Sequence, residues 1–396
     1  MIPYGRQDIT QADIDAVVSV LRSDFLTQGP VVPRFEKAVS DRVSAKYAVA
    51  VNSGTSALHV ACMALQLGEG DCLWTVPNTF AASANCALYC GADIDFVDID
   101  AEDWNLSLTH LKEKLLKARK NECLPKVVVP VHYAGQPTHQ EAIWELAQEF
   151  GFKVLEDASH SIGASRHGEP VGSCRWSDVC VFSFHPVKVV TSAEGGMGVT
   201  NDEEIAERMA MLRSHGITRD PSKFRNIEAH GNNLADRKRK VGAWHYEQQM
   251  LGYNYRLTDL HAAIGVSQLE RLEQYVSRRS ELARRYDQAL TDLPIQLPTV
   301  AESNNSAHHL YTIRMPSDSP AERQRNVFDA LRERGIGVNV HYIPVHLHPY
   351  YRQLGFSDGQ FPEAELHGRT AITLPLFPTM TDDEQAAVIN AVKDVL

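Results

Sequence analysis

Residues 179–198 read Val179-Cys-Val-Phe-Ser-Phe-His-Pro-Val-Lys188-Val-Val-Thr-Ser-Ala-Glu-Gly-Gly-Met-Gly198. The opening residues are mostly apolar and partly β-branched, which is typical of a buried strand. Pro186 ends that strand because proline has no N–H to donate. Lys188 stands among valines, where it loses hydration, so its neutral amine becomes easier to populate and can attack a carbonyl carbon. A lone lysine of this kind is usually a surface residue, and the interpretation therefore depends on the rest of the chain.

Two upstream strand ends complete the pattern. Residues 152–157 predict a strand that ends in Asp157, with His160 just beyond it. Residues 47–51 predict a strand that runs into Asn52-Ser-Gly-Thr-Ser56 and then into a helix. A helix N-terminus after a turn of small residues binds anions, because its free N–H groups and its dipole point at them. A phosphate cradle, a carboxylate and a nucleophilic lysine are together what pyridoxal 5'-phosphate (PLP) requires.

Strand and helix patterns alternate through the first half of the chain. Helical patterns separate most of the strand candidates, and this rhythm predicts a mostly parallel sheet covered on both faces. The last two candidates are joined by only about a dozen residues without a helix, which favours antiparallel pairing with Lys188 on the link. Ligands of such sheets bind beyond the carboxyl ends of the strands, where Gly54, Asn78, Asp157 and Ser183 fall. The strand candidates are residues 47–51, 72–76, 94–98, 126–131, 152–157, 179–184 and 196–200.

The sequence resembles the DegT/DnrJ/EryC1/StrS family of sugar aminotransferases over nearly its whole length. Residues 2–7, 339–345 and 349–351 are most similar to the branch of the family that aminates a UDP-linked 4-keto-6-deoxy-N-acetylhexosamine on the way to pseudaminic acid. Two positions depart from the family pattern, Ala193 where glycine is usual and His160 where many members have glutamine. The motifs that carry the resemblance are Asn52-Ser-Gly-Thr-Ser56, Pro77-Asn-Thr-Phe-Ala81, Glu156-Asp-Ala-Ser-His160, Ser183-Phe-His-Pro-Val-Lys188, Glu194-Gly-Gly196 and Gly252-Tyr-Asn-Tyr-Arg256.

The resemblance implies the type I fold of PLP-dependent transferases, which is similar to aspartate aminotransferase. We expect a large PLP-binding domain at residues 1–255 with a seven-stranded, mostly parallel sheet, and residues 1–30 as a segment that can pack on the small domain. Residues 256–396 would form a long linking helix and a smaller α+β domain. Within it, the pattern predicts a helix at 258–290, strands at 310–315 and 337–341, and a final helix at 382–395.

The resemblance also assigns roles to particular residues. Lys188 would hold the PLP aldehyde as a Schiff base and act as the catalytic base, and Asp157 would keep the ring nitrogen protonated. Phe80 would stack on the ring, with a core phenylalanine as the alternative. Glu156 would face away from Asp157 by strand alternation. The phosphate ligands would be Gly54, Thr55, Ser56 and Ser183, with Asn254 reaching in from the neighbouring subunit; His160 would be a further cofactor contact, and Tyr4, Arg256, His341 and Tyr342 would shape the sugar pocket.

The reaction implied is a two-stage transamination from L-glutamate to the 4-keto group of the UDP-sugar, with PLP cycling through pyridoxamine 5'-phosphate (PMP). Another nucleotide-linked keto-sugar remains an alternative acceptor. Three other functions stay open: a sugar 3-dehydratase of the same family, in which histidine replaces the lysine, a regulator that holds PLP as a sensor, and transamination of amino acids alone. Although His341, His346 and His348 lie close in sequence, no carboxylate spacing completes a metal site, so no metal is predicted.

The bulk composition limits the partners. The 396 residues carry a formal net charge of −11 at pH 7, which argues against binding to nucleic acid or to an anionic membrane. No apolar run approaches the ~18 residues of a spanning helix, and no signal peptide is evident, so we expect a cytoplasmic protein. The resemblance implies that it is a homodimer with shared active sites. The seven scattered cysteines are expected to be reduced. The basic run Arg237-Lys-Arg-Lys240 is usually just a solvated loop, but it can supply nucleotide phosphate contacts, even across a dimer interface.

Overall fold

The fold is taken from a computed structural model that describes residues 1–225, 242–320 and 322–396. Short strands alternate with helices through the first half of the chain, as the sequence pattern predicts. The described strands are β1 (Tyr47–Val51), β2 (Cys72–Thr75), β3 (Asp93–Phe96), β4 (Val127–Val129), β5 (Lys153–Asp157), β6 (Ser165–Arg166), β7 (Glu169–Pro170), β8 (Val179–Ser183), β9 (Gly196–Thr200), β10 (Ile217–Thr218), β11 (Glu247–Gln248), β12 (Asn304–Asn305), β13 (Tyr311–Arg314) and β14 (Ala371–Leu374).

Helices occupy much of the remaining chain. Several begin at side-chain caps; Thr10 and Asp13 form a capping box at α1, and Ser53 caps α3. Within the described residues, no helix is both long enough and apolar enough to cross a membrane. The described helices are α1 (Gln11–Leu21), α2 (Val31–Val43), α3 (Gly54–Ala64), α4 (Ala82–Tyr89), α5 (Leu108–Lys120), α6 (Gln140–Phe150), α7 (Glu203–Leu212), α8 (Asp259–Leu269), α9 (Leu272–Leu290), α10 (Arg323–Glu333), α11 (Pro349–Gln353), α12 (Pro362–Thr370) and α13 (Asp382–Val395).

The central sheet has seven strands in the order β1-β9-β8-β5-β4-β2-β3. All neighbours are parallel except β9, which pairs antiparallel with both β1 and β8. The predicted seven-stranded, mostly parallel sheet is therefore confirmed. So is the antiparallel pairing of the last two strands, with Lys188 on their link. Because β9 is antiparallel to both neighbours, the carboxyl ends of β1, β5 and β8 lie on the same edge of the sheet.

Apolar cores cover both faces of this sheet. Along β8, Val179 and Val181 belong to the core that contains α3 to α6, whereas Cys180 and Phe182 belong to the core against α2 and α8. Successive side chains of a strand point to opposite faces, so this alternation requires a layer of helices on each side. All seven cysteines are free thiols, as expected.

A smaller sheet lies in the C-terminal part of the chain. Strands β13 and β14 pair antiparallel, and a third core packs around them with residues of α9, α10 and α13. The N-terminus joins this core, because Ile2 bridges to Ile336 and Leu376 N–H donates to Tyr4 C=O at 3.0 Å. The boundary at residues 255–256 stays a prediction.

Two predicted elements were wrong in extent. The helix expected over residues 258–290 is broken between α8 and α9, where Arg271 turns to form an ion pair with buried Asp13 at 2.7 Å. The strand expected over 337–341 is a single bridge from Asn339 to Thr373. There the Asn339 side chain accepts from Val340 N–H at 2.9 Å, and a side chain that bonds its own backbone competes with a strand ladder.

One buried carboxylate ties the N-terminal helices to α8. Asp259 is fully buried, and its two oxygens accept from the backbone N–H groups of Gly29 at 2.7 Å, Val31 at 2.7 Å and Val32 at 3.0 Å. These groups open α2, where helix N–H groups lack partners within the helix. The carboxylate also suits the positive end of the helix dipole.

We predict that Asp259→Ala lowers the free energy of unfolding by about 3 kcal/mol, because it leaves three N–H groups without their acceptor. Urea unfolding followed by circular dichroism measures this. The matched control is exposed Asp394→Ala, for which we expect a change within about 0.5 kcal/mol. Equal midpoints for the two variants would contradict the assignment.

Candidate active site

A cavity of about 570 Å³ lies at the carboxyl ends of β1, β5 and β8. This is the size of an ordinary small-molecule site. Ten of the site residues predicted from sequence line it, although they come from widely separated parts of the chain. They are Tyr4, Gly54, Thr55, Phe80, Asp157, His160, Ser183, Lys188, His341 and Tyr342.

Three predicted residues do not line the cavity. Ser56 is buried in the first turn of α3, where its hydroxyl donates to Asn52 Oδ1 at 2.7 Å. Asn254 is exposed and bridges to Ser214, and Arg256 bridges to Val51. The basic run at 237–240 lies outside the described residues.

The start of α3 forms an anion cradle. Ser53 caps the helix by accepting from Ser56 N–H at 3.1 Å, which leaves the N–H groups of Gly54 and Thr55 without partners in the helix. A Cβ on Gly54 would lie 2.9 Å from Ser183 Cβ, so any larger residue would close the gap between them. The cradle therefore joins free N–H donors, the helix dipole and the Ser183 hydroxyl, a combination that binds phosphate.

Lys188 is a half-buried amine on the link between β8 and β9. Burial lowers the pKa of this lysine to about 8, although the negative charge of Asp157 acts in the opposite direction. A substantial fraction of the amine is thus neutral near physiological pH. A neutral lysine in a partly desolvated pocket is a nucleophile and a proton acceptor.

Asp157 ends β5 and is 5% exposed. It accepts from the Ser83 hydroxyl at 2.6 Å and from Ser159 N–H at 3.1 Å. Among the described residues, no lysine, arginine or histidine lies within ion-pair distance of it, so it can receive a cationic ligand group. Its neighbour Glu156 faces the other way and accepts from the Ser177 hydroxyl at 2.9 Å. The strand alternation expected for the two carboxylates is present.

The wall opposite the cradle is polar but uncharged. Tyr342 O–H and His160 Nε2 lie 3.2 Å apart. Burial, followed by the nearby charge of Lys188, holds the pKa of His160 well below its ordinary value and lowers that of His341 to about 4. Burial raises the pKa of Tyr4 and places that of Tyr342 well above its ordinary value. At neutral pH these groups offer hydrogen bonds without charge, which suits hydroxyl and carbonyl groups.

Phe80 is the large apolar side chain at the mouth of the cavity and is 63% exposed. The alternative of a core phenylalanine is therefore wrong. An exposed aromatic ring beside an anion cradle and a carboxylate is placed to cover a flat ligand.

Twelve of the residues that line the cavity were not predicted as site residues from the sequence, among them Glu194, Asn339 and His309. Glu194 and Asn339 lie in quoted motifs but received no role, and His309 lies outside every motif. Only tertiary packing brings His309 to the cavity, so no local sequence signal could have identified it. The backbone explains why glycine is usual at position 193, since this residue adopts φ 67°, a left-handed conformation that favours glycine, but nothing in the structure explains the alanine.

Comparisons with known proteins agree on one family. A sequence model described as the DegT/DnrJ/EryC1/StrS aminotransferase family matches residues 7–393. The spore coat polysaccharide biosynthesis protein SpsC of Bacillus subtilis is 37% identical over 398 residues, which cover 100% of this chain and 97% of SpsC.

Solved structures of two proteins are similar over the whole chain. Helicobacter pylori PseC, an aminotransferase of pseudoaminic acid biosynthesis, is 30% identical with a TM-score of 0.88, and the match covers 100% of this chain and 98% of PseC. The sugar aminotransferase candidate Spr1654 of Streptococcus pneumoniae, in its PMP form, is 29% identical with a TM-score of 0.88, covering 100% and 99% of the two chains. A PLP form of Spr1654 gives a TM-score of 0.87, with 28% identity, and covers the same shares of both chains.

We predict that the Lys188 amine of the cofactor-free protein reacts with acetic anhydride with a pH midpoint near 8, because burial lowers its pKa to about 8. Mass spectrometry of the Lys188 peptide measures the rate against pH. In Asp157→Asn the midpoint should fall further, since the carboxylate charge that supports the ammonium form is gone. Exposed Lys37 is the internal control. A Lys188 midpoint near that of Lys37 would contradict the prediction.

Proposed function

The chain belongs to the DegT/DnrJ/EryC1/StrS aminotransferase family, and we propose that it transfers the amino group of L-glutamate to a UDP-linked 4-keto-6-deoxy-N-acetylhexosamine. The product would be UDP-4-amino-4,6-dideoxy-N-acetyl-altrosamine, used in pseudaminic acid biosynthesis. The cofactor is PLP, which cycles with PMP, as the two forms of a similar structure illustrate. The observation that carries the proposal is the meeting of Lys188 and Asp157 in one cavity with an anion cradle.

The residues of the cavity fit PLP. The gap between Gly54 and Ser183, which a Cβ would fill, suits the phosphate group, and Asp157 without a cationic partner suits the protonated ring nitrogen. Phe80 would cover the ring face, and Ser56 would support the cradle from within α3. When bound, PLP supplies an electron sink for the carbon that loses its proton.

Lys188 is the group that moves the proton in this proposal. Its Nζ, neutral once released from the aldehyde, would accept the α-proton of glutamate and later deliver a proton to C4 of the sugar. Asp157 accepts hydrogen bonds from Ser83 and Ser159, which orient its carboxylate, and it would hold the ring nitrogen protonated throughout.

The uncharged wall supports a sugar as the acceptor. Tyr4, His341 and Tyr342 would hydrogen-bond the hydroxyl, keto and acetamido groups, none of which carries a charge. Similarity to PseC, an aminotransferase of pseudoaminic acid biosynthesis, supports the pseudaminic acid pathway in particular. The presence of Lys188, where sugar dehydratases of the family carry histidine, supports amination over dehydration.

A cytoplasmic homodimer with shared active sites is part of the proposal. Lys188 is the one lysine or arginine among the described residues that line the cavity, although the phosphate and the UDP group need further donors. Asn254 and Arg256 lie outside the cavity of their own chain, close in sequence to exposed Trp244 and Leu251, which are 83% and 76% exposed. Exposed apolar residues at this density favour an interface. From there Asn254 and Arg256 would complete the partner's site.

We predict that Lys188→Ala binds PLP without a covalent bond and loses at least about 10³-fold in turnover, because the proton carrier is gone. Borohydride reduction and mass spectrometry should show a covalent adduct at Lys188 in the wild type and none in the variant. Lys37→Ala, on the surface in an ion pair with Asp41, is the control and should keep wild-type turnover. Turnover of Lys188→Ala at the wild-type rate would defeat the assignment.

The acceptor is tested with glutamate and a panel of UDP-linked 4-keto sugars, with product mass as the readout. We expect an amino-sugar product together with 2-oxoglutarate. A deoxygenated sugar would instead indicate a dehydratase, and turnover of 2-oxo acids alone would indicate an amino-acid transaminase. Glutamate should bleach the visible absorption of bound PLP if the protein is an aminotransferase. A PLP sensor would keep that absorption.

Shared active sites are tested by mixing two inactive variants, Lys188→Ala and Asn254→Ala. Random exchange of subunits should restore about a quarter of wild-type activity, since half of the dimers are mixed and each has one intact site. Mixtures that stay as inactive as their components would show that each chain acts alone.

A further inference from the structure

His309 is a cavity residue to which nothing above assigns a role. Its ring lines the cavity, and the residue is 4% exposed. Its Nδ1 is buried without a hydrogen-bond partner among the described residues. A buried polar atom without a partner costs about 1–3 kcal/mol, so its retention beside a ligand cavity indicates a role in that cavity.

The backbone at His309 is fixed from two sides. Buried Arg279 donates to the carbonyl oxygens of His308 at 3.3 Å, His309 at 3.2 Å and Leu376 at 3.0 Å. On the other side, Ala307 N–H donates to Gly135 C=O at 2.9 Å. Gly135 has φ 101°, and a Cβ there would lie 2.9 Å from the backbone nitrogens of His308 and His309. The His309 ring is therefore presented to the cavity by a rigid segment.

The ring packs against His160. The two ring centroids are 4.4 Å apart, and the ring planes are tilted by 46°. His160 Nε2 faces the Tyr342 hydroxyl, whereas its Nδ1 is also buried without a partner among the described residues. Two adjacent imidazoles in the cavity thus each have a free nitrogen.

Both imidazoles are neutral at physiological pH. Burial, then the charges of His160, Lys188, Arg279 and His341, hold the pKa of His309 well below its ordinary value. Burial and the charges of Lys188, His341 and His132 do the same for His160. A neutral imidazole has one N–H donor and one acceptor, so its orientation decides which of the two a ligand meets.

We propose that His309 is a positioning residue for His160, fixing its ring so that a free nitrogen faces an oxygen of the bound cofactor. Tyr342 contacts one edge of the His160 ring, and His309 packs beside the ring at a tilt of 46°, so the two neighbours restrict its rotation. This inference rests on the cofactor contact proposed above for His160, and it does not depend on the identity of the acceptor sugar.

The test compares His309→Ala with His308→Ala. Alanine at 309 removes the ring that packs against His160. The adjacent variant keeps the same backbone contacts with Arg279, and half-buried His308 does not line the cavity. Two readouts need no sugar substrate: the dissociation constant of PLP for the cofactor-free protein, and the pH midpoint of the visible absorption of bound PLP.

We expect His309→Ala to weaken PLP binding about fivefold to tenfold, because a His160 ring that is no longer held loses the worth of one hydrogen bond to the cofactor, and to shift the absorption midpoint by about half a pH unit or more. His308→Ala should change neither. His309→Phe, which keeps a flat ring against His160, should keep PLP binding within about threefold of the wild type. Thermal unfolding checks that each variant is folded.

Two results would overturn the proposal. In one, His309→Ala binds PLP and titrates like the wild type. In the other, His308→Ala shifts both readouts as much as His309→Ala does, which would show that only the stability of the segment matters. The PLP dissociation constant and the absorption midpoint do not depend on the acceptor sugar. If the proposed sugar amination is wrong, both values stay the same, so that failure can be told apart from a failure of the role proposed for His309.

Discussion

The burial of an amine and a carboxylate in one cavity is the constraint on which the rest of the structure depends. Taking Lys188 and Asp157 out of water costs free energy, and proteins retain such groups when other contacts compensate. Asp157 accepts hydrogen bonds from Ser83 and Ser159, whereas burial lowers the pKa of Lys188 to about 8. The sheet makes this possible, because antiparallel β9 returns the chain beside β8 and leaves the lysine on a short, rigid link.

Much of this arrangement could be predicted from local sequence. The seven strands follow from short apolar runs, and the Ser53 cap and Gly54 mark the start of α3. These features are local, because caps, strand ends and small-residue turns are determined by neighbours in the chain. The orientation of Glu156 away from Asp157 required only the alternation of side chains along a strand.

Two of the features that were not predicted depend on distant parts of the chain. The break at residues 270–271 follows from a pairing of Arg271 with Asp13, and His309 reaches the cavity because Arg279 and Gly135 fix its backbone. In both cases, the partner lies too far away in sequence for propensity or periodicity to indicate it. The loss of the strand at 337–341 is instead local, because the side chain of Asn339 bonds its neighbour Val340, and a strand pattern does not reveal this competition.

The charge distribution of the cavity limits how it can bind anionic ligands. Its described lining combines one lysine, two carboxylates and a wall of neutral histidines and tyrosines, in a chain whose formal net charge is −11. Such a surface does not attract a nucleotide sugar or the carboxylates of glutamate by long-range electrostatics. Specific donors must therefore bind these anions, and one chain supplies backbone N–H groups at α3 but few cationic side chains. If a partner subunit brings the missing donors, assembly becomes a requirement for substrate binding as well as for stability. The uncharged wall can then serve to recognise the hydroxyl groups that distinguish one sugar from another.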